Sequence, residues 1–223
     1  MAAGERKSAT LINASGAKTS IAIWVQMQQQ PQPAPIAWLS ALLSDGSYTV
    51  FRWRTAYEYI WANTGKLIAG KTVSAAQRLA VTDQAPAARL EKRGNTYRLQ
   101  PLVPPGGGTP GALLIEAGAI PRDTLTIGVN LRIVSGFGQP GNGSSVVQAE
   151  PNVSRNWTAG ETYFAGFGQV AQSEFDPQGL SSQAPLAIDF GTGADVVLLL
   201  EPGNVLKQVT NSRLTTSGLQ ELR

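Results

Sequence analysis

The chain has 223 residues, enough to bury a core of its own, and its formal net charge is only +3. It contains no cysteine and no histidine, which excludes disulfides and thiolate metal sites and removes the commonest general base near neutral pH. Its lysines and arginines are scattered rather than gathered into a basic stripe, so a nucleic-acid partner is not expected. We therefore predict a protein that is not an enzyme and that binds no cofactor or metal.

Glycine and proline are abundant, at 24 and 14 residues, whereas charged residues make up 15% of the chain. With many valine, threonine and aromatic positions, this composition is typical of an all-β fold with many turns. The N-terminal stretch MAAGERKSATLIN has no apolar run of signal-peptide length, and no segment approaches the ~20 apolar residues of a spanning helix. We expect a cytoplasmic protein without a membrane span, with non-classical export left open.

The first predicted elements are two short strands, residues 10–12 and 19–25, joined by an Asn-Ala-Ser-Gly turn. The Gln/Pro stretch at residues 26–35 follows, and because each proline lacks a backbone donor it cannot join a sheet interior. Residues 36–43, IAWLSALL, have their large apolar side chains at helical spacing. They predict a short helix.

Residues 47–65, SYTVFRWRTAYEYIWANTG, carry the clearest pattern in the chain. The odd-numbered positions from 49 to 61 are all threonine or aromatic, whereas the even-numbered positions include Arg52, Arg54 and Glu58. A period of two places alternate side chains on opposite faces of a strand. The pattern predicts a half-buried β-ribbon with its aromatic face inward and its charged face toward solvent.

The rest of the chain is divided by a Gly/Pro-rich connector, VPPGGGTPG at residues 103–111. Alternating and apolar runs predict strands on both sides of it, with a loop at residues 83–88. The run ADVVLLLE at residues 194–201 is the most apolar and is expected to lie inside its sheet. The other predicted strands are residues 66–69, 71–82, 96–102, 112–117, 124–134, 144–150, 162–168, 186–190 and 204–210.

These elements predict an all-β fold, an antiparallel β-sandwich with at most one or two short helices. The two halves, about residues 8–102 and 112–210, are joined by the connector 103–111. Each half has too few strands to cover its own inner face. We therefore predict one domain spanning residues 1–223.

Five stretches form a recognisable pattern: residues 36–43, 51–65, 67–77 (LIAGKTVSAAQ), 146–152 (VVQAEPN) and 162–168 (TYFAGFG). Through these five stretches, most of the chain, from about position 12 to 206, resembles the rhizosphere-expressed RhiA-like bacterial proteins. The Gln-rich run at 28–32 and the connector depart from it. The resemblance implies an abundant, quorum-regulated bacterial protein of unassigned biochemistry, and it carries over no site residue.

Self-association is the function that the residues themselves favour. Low charge and long β-runs leave sheet edges that another chain can pair with. The Gln/Pro stretch and the connector would act as extended arms that add a strand to a neighbour. We therefore expect a non-enzymatic structural protein whose partner is itself, in a homo-oligomer or a filament.

The alternative is a carbohydrate-binding, lectin-like module. Aromatic rings stack on sugars, and such rings would have to lie on loops to reach them. Trp157 and Tyr163 are the ligand-binding residues predicted under this alternative.

Overall fold

The structure is a computed structural model that describes residues 5–28, 36–54, 56–103, 111–131, 145–171, 174–175, 179–180, 184–191 and 193–209. Every regular element among these residues is a strand, which confirms the all-β prediction. In chain order the strands are β1 (Arg6–Asn13), β2 (Thr19–Gln28), β3 (Leu39–Leu43), β4 (Tyr48–Arg54), β5 (Tyr57–Ala62), β6 (Gln77–Ala80), β7 (Ala87–Arg93), β8 (Thr96–Leu102), β9 (Ala112–Ala117), β10 (Thr126–Leu131), β11 (Ser145–Gln148), β12 (Ser154–Gly168), β13 (Leu186–Ile188), β14 (Asp195–Glu201) and β15 (Val205–Val209).

The strands form three sheets. Sheet 1 has the order β15-β14-β1-β4, and sheet 2 has the order β11-β10-β5-β6. Sheet 3 has the order β3-β2-β12-β9-β7-β8, with β13 also paired to β12. Most pairs are antiparallel as predicted, but β1–β14 and β7–β9 are parallel. The apolar strand β14 lies inside sheet 1, as its composition predicts.

Each sheet joins strands from both sides of the connector. β1 pairs with β14 in sheet 1, β5 with β10 in sheet 2, and β2 with β12 in sheet 3. Neither half of the chain therefore holds a complete sheet of its own. One domain over residues 1–223 stays our prediction for the organisation of the chain.

One large hydrophobic core receives side chains from all three sheets. Leu11 and Trp53 enter it from sheet 1, Val129 from sheet 2, and Ile23 and Leu113 from sheet 3, each at most 1% exposed. Facing layers that bury a shared interior are the arrangement expected of a β-sandwich. No helix among the described residues is long and apolar enough to cross a membrane.

The helix predicted over residues 36–43 is wrong, because residues 39–43 form strand β3. It pairs antiparallel with β2, with Leu39 opposite Ile23. Leu39 and Leu43 are buried, whereas Leu42 is 61% exposed. A short apolar run fits a helical or an extended period equally well, and pairing with β2 decides in favour of the strand.

The predicted ribbon at residues 47–65 is two strands in different sheets, β4 paired with β1 and β5 paired with β10. The aromatic face is buried as predicted at Phe51, Trp53 and Tyr59. The even-numbered face stays accessible only in β4. In β5 the even position Ile60 is buried in a second, smaller apolar cluster.

Other boundaries differ from the sequence-based expectation. Residues 66–69 form no strand, and only residues 77–80 of the stretch 71–82 do so, as β6. Strand β7 and the first half of β12 are missing from the prediction. Both carry many charged or polar residues, so their apolar content alone gives no strand signal.

Candidate self-association surface

Among the described residues, six strands end the three sheets: β15 and β4 in sheet 1, β11 and β6 in sheet 2, and β3 and β8 in sheet 3; the three-residue β13 is a further edge, paired only with β12. Backbone groups along an edge strand are able to pair with another chain unless something covers them. Which edges are occupied inside the molecule therefore decides which ones remain for a partner.

Gln77 of β6 closes the edge of β8. Its side-chain carbonyl accepts a hydrogen bond from the Leu99 amide at 2.8 Å, and its side-chain NH₂ donates to the Leu99 carbonyl at 3.0 Å. This amide imitates the two bonds that a neighbouring strand would make. Trp61 also donates to Gln77 Oε1 at 3.2 Å and fixes the side chain in place. Gln77 thus satisfies the two outward backbone groups of Leu99 and ties the β6 and β8 edges together at that point.

Replacing Gln77 by methionine should lower the free energy of unfolding by about 2 kcal/mol, because it leaves two buried backbone groups of Leu99 without a partner. Denaturant unfolding measures the change. Gln77→Glu is the comparison variant: its carboxylate still accepts from the amide, but its second oxygen would face the Leu99 carbonyl oxygen, so its loss should be at least as large. A methionine variant within about 0.5 kcal/mol of the wild type would contradict the bridging role.

Gln208 of β15 makes the same kind of bridge to the residue after β13. It accepts a hydrogen bond from the Asp189 amide at 3.0 Å and donates to the Asp189 carbonyl. This links the β15 edge of sheet 1 to sheet 3. The Gln208 end of β15 is therefore anchored to the rest of the molecule through its side chain.

Gln148, the last residue of β11, uses its side-chain amide in a similar way to bond the backbone of two loops. Its Oε1 accepts from the Leu67 amide at 2.7 Å, and its Nε2 donates to the Leu125 carbonyl at 2.8 Å. At the other end of β11, Ser145 Oγ accepts from the Trp157 indole at 2.9 Å. Both ends of this four-residue strand are therefore held within the molecule.

β3 and β4 are the edges without a glutamine bridge of this kind among the described residues, and β4 is the longer of the two, with seven residues against five. β4 pairs with β1 on one side, and no described strand pairs with its other side. Its sequence YTVFRWR is rich in β-branched and aromatic residues and contains neither proline nor glycine. It is a strong strand-forming sequence with one backbone edge open.

The even-numbered residues predicted to form an exposed charged face behave differently in the two strands. In β4, Arg52 is exposed and Arg54 is partly buried. Glu58 of β5 instead forms an ion pair with Arg78 at 3.3 Å, and its side chain is 13% exposed. The accessible charge in this region therefore belongs to β4.

Trp157 and Tyr163, the residues predicted to bind a sugar from loops, both lie in strand β12. Each is 1% exposed, so neither ring offers a face to solvent. The expected loop position is wrong, because alternation along β12 directs both side chains into the core. Carbohydrate binding through these rings stays a prediction, and a sugar would have to displace core packing to reach them.

Tyr163 belongs to an aromatic cluster rather than to a binding platform. Trp53 donates its indole N–H to the Tyr163 hydroxyl at 3.2 Å, and Phe190 packs edge-on against Tyr163 with ring centroids 5.3 Å apart. Lys7 of β1 covers the cluster, with Nζ 4.7 Å from the centroid of the Phe190 ring. The cluster joins sheets 1 and 3 through packing and a cation–π contact.

Three buried tyrosines have pKa values raised above the ordinary value of about 10. Burial is the main cause for Tyr57, Tyr59 and Tyr163, because the phenolate loses its hydration. For Tyr57 a hydrogen bond to the Glu161 carboxylate adds to the effect, and for Tyr163 the charge of Glu161 does so. Each group is held neutral by the fold.

These shifts predict alkaline unfolding. Below pH of about 10 the tyrosines are neutral in both states, so their contribution to stability is fully present. Above a pH of about 10, the three tyrosines lose their protons in the unfolded chain before they do so in the folded protein. The free energy of unfolding should therefore fall as the pH rises toward the higher folded-state pKa values. Denaturant unfolding at pH 8, 10 and 11 measures this. Tyr163→Phe should show a shallower fall, whereas equal slopes for the two proteins would contradict the assignment.

The two stretches predicted to act as extended arms lie largely outside the described residues. Of the Gln/Pro stretch 26–35, the first residues continue β2, and residues 29–35 are not described. Residues 104–110 of the connector are likewise not described. The candidate surface therefore consists of the sheet edges.

Residues 4–208 match the protein-family model described as RhiA. The chain is also 28% identical over 176 residues to the Protein RhiA of Rhizobium leguminosarum bv. viciae, an alignment that covers 75% of this chain and 70% of that protein. No solved structure matches the chain.

Proposed function

The chain belongs to the RhiA family, and we propose that it is a non-enzymatic structural protein whose copies associate through their sheet edges. The position of its exposed apolar side chains supports this proposal most directly. Among the described residues, five large hydrophobic side chains are exposed, and three of them lie in edge strands: Leu42 in β3, Tyr48 in β4 and Val205 in β15. Val103 directly follows the edge strand β8.

Exposed apolar side chains on an edge favour pairing with another chain for two reasons. The backbone of the edge supplies unpaired donors and acceptors, and the side chains add apolar area that leaves water on contact. Charges and proline are common means of keeping an edge single; β3 carries neither, whereas β4 carries Arg52 and Arg54. Backbone hydrogen bonds would supply affinity, and alternate side chains would fix the register.

The symmetry of the contact decides what forms. A contact between the same surface on two copies closes into a dimer, whereas a head-to-tail contact produces a ring or a filament. An isologous contact through one edge and a second contact elsewhere would together produce a filament. A dimer, a ring and a filament would each agree with the proposed structural function.

Sedimentation velocity over a wide concentration range tests the proposal, with electron microscopy of the same samples. We expect the sedimentation coefficient to rise with concentration and defined oligomers or filaments to appear in the images. A monodisperse monomer at high protein concentration would overturn the proposal.

Quorum-dependent expression belongs to the same proposal, because a self-associating protein assembles only when many copies are made. A cytoplasmic location is the second part of the proposal. Transcript levels across culture densities and fractionation of the cells check these two points. Equal expression at low and high density would remove the regulatory part and leave the self-association part untouched.

A further inference from the structure

Alternation along the strands gives sheet 1 two faces. Leu11 of β1 and Leu198 of β14 are in register, and both enter the large core. Successive side chains of a strand point to opposite faces. Ile12, Leu199 and Val197 therefore point away from the core, on the side that we call the outer face of sheet 1.

The centre of this outer face is apolar and buried. Ile12 and Val197 are 4% exposed, and Leu199 is 8% exposed. Their apolar neighbours among the described residues are Ala14, in the turn after β1, and Val209, in β15. Strands of one sheet lie side by side, and their side chains stand roughly perpendicular to it. Sheet 1 by itself leaves this face open, so another part of the chain lies over it.

The exposed apolar side chains of the face lie at its margins. Tyr48 in the edge strand β4 is the register partner of Ile12, yet it is 59% exposed. Val205 in the edge strand β15 is 47% exposed. The covered area is therefore centred on β1 and β14, which lie about 4.8 Å apart. A short segment is enough to cover it.

Residues 210–223 are the segment in the best position to do so. They follow Val209 directly, and Val209 is the register partner of Val197 and packs against the buried cluster. The other stretches of more than four residues outside the described ranges connect strands within sheet 2 or sheet 3: residues 29–35, 104–110 and 132–144. Among these stretches only residues 210–223 are attached to sheet 1.

We propose that residues 210–223 bind the outer face of sheet 1 in their own chain and cover its apolar centre. This cover segment, TNSRLTTSGLQELR, carries three leucines, Leu214, Leu219 and Leu222, among polar residues. Fourteen residues span about 21 Å as a helix and about 46 Å when extended, so either form crosses β14 and β1. Contact between the leucines and the buried cluster removes apolar surface of both from water.

The cover directs association to the sheet edges. An exposed apolar patch marks an interaction or aggregation site, and binding of the cover segment removes one from the broad face of sheet 1. Tyr48 and Val205 at its edges stay exposed. This consequence rests on the proposed function, whereas the cover itself does not.

Thiol labelling of the full chain tests the cover, because the chain has no cysteine of its own. In Val197→Cys the thiol lies at the covered centre and should react slowly with a thiol reagent in excess. Replacing the three leucines of the cover segment by serine in that variant should raise the labelling rate at least tenfold. The matched control replaces Thr215, Thr216 and Ser217, which lie between those leucines, by alanine. It should leave the rate unchanged.

A thiol on the inner face separates loss of the cover from unfolding. Leu198→Cys is one residue along β14 at a position that is 0% exposed, and it should stay protected when the leucines are replaced. Equal increases at both positions would mean that the sheet itself opens, and they would overturn a local cover. If Val197→Cys does not fold, Thr10→Cys replaces it, since Thr10 is its register partner on the same face. Circular dichroism checks folding.

Dilution distinguishes the cover segment from a second copy. Protection within one chain does not depend on concentration, so the Val197→Cys labelling rate should be constant over a hundredfold range of protein concentration. A rate that rises on dilution would assign the covered face to a second copy and overturn the inference. A rate unchanged by the leucine substitutions would also overturn it. A monomer at every concentration in sedimentation would remove the proposed function and leave the cover intact, so the two fail separately.

Discussion

Replacing Trp53 by alanine should lower the free energy of unfolding by about 4 kcal/mol, the largest effect expected of any single truncation in the aromatic cluster. Trp53 is 1% exposed and packs edge-on against Trp38 and Phe190, with ring centroids 5.4 and 5.8 Å away. The alanine variant also removes the indole N–H that bonds Tyr163. The cavity and the lost hydrogen bond act together, and equilibrium unfolding in guanidinium measures the sum.

Tyr48→Ala is the matched control for this substitution. It removes an aromatic side chain from the same strand, but one that is 59% exposed. Tyr48→Ala and Trp53→Ala change the strand propensity to a similar extent, but Tyr48→Ala removes much less buried area. We therefore expect Tyr48→Ala to lower the free energy of unfolding by no more than about 0.5 kcal/mol. Equal losses for the two variants would show that β4 contributes through its backbone alone rather than through Trp53 packing.

The burial of Trp53 could be predicted from sequence, because β4 has one face on the core and one face outward. Strict alternation then appears in the residue types themselves, as at Phe51 and Trp53. The same reasoning fails one strand later. β5 enters a different sheet and buries even-numbered residues such as Ile60 as well, and nothing local marks the change of sheet.

The occupied edges could not be predicted, since they depend on contacts between distant residues. Gln77 bonds Leu99, 22 positions later, and as a polar side chain in a strand it carries no local sign of that partner. β3 shows a related limit, because a five-residue apolar run does not distinguish a strand from a helix until β2 is beside it. For the candidate surface, sequence indicated that exposed edges exist, and the structure shows which ones are bridged.

Trp157 illustrates how an aromatic residue misleads when its strand is not recognised, whereas Tyr163 lies within the strand predicted over residues 162–168. The first half of β12, where Trp157 lies, alternates polar and small residues and has little apolar signal. With the strand assigned as loop, Trp157 looks available to a ligand. With the strand in place its indole lies inside the sandwich and donates to Ser145.

Gly128→Ala should be the most damaging small substitution in sheet 2. A Cβ at this position of β10 would lie 2.2 Å from the Ser145 carbonyl oxygen and 2.9 Å from Val146 Cα, both backbone atoms of β11. Backbone cannot move aside as a side chain end can, so β11 must separate from β10. We expect a loss of about 3 kcal/mol or more in the free energy of unfolding.

Gly193→Ala is the control for the Gly128 variant, because its Cβ would meet only the Phe190 carbonyl oxygen at an ordinary 3.6 Å. That variant should stay within about 0.5 kcal/mol of the wild type. Separation of β11 from β10 would also break the Trp157–Ser145 hydrogen bond, so tryptophan emission should shift to the red in Gly128→Ala alone. A Gly128→Ala protein with wild-type stability and emission would mean that β11 can retreat without cost. The close approach of the two strands would then be no constraint on the fold.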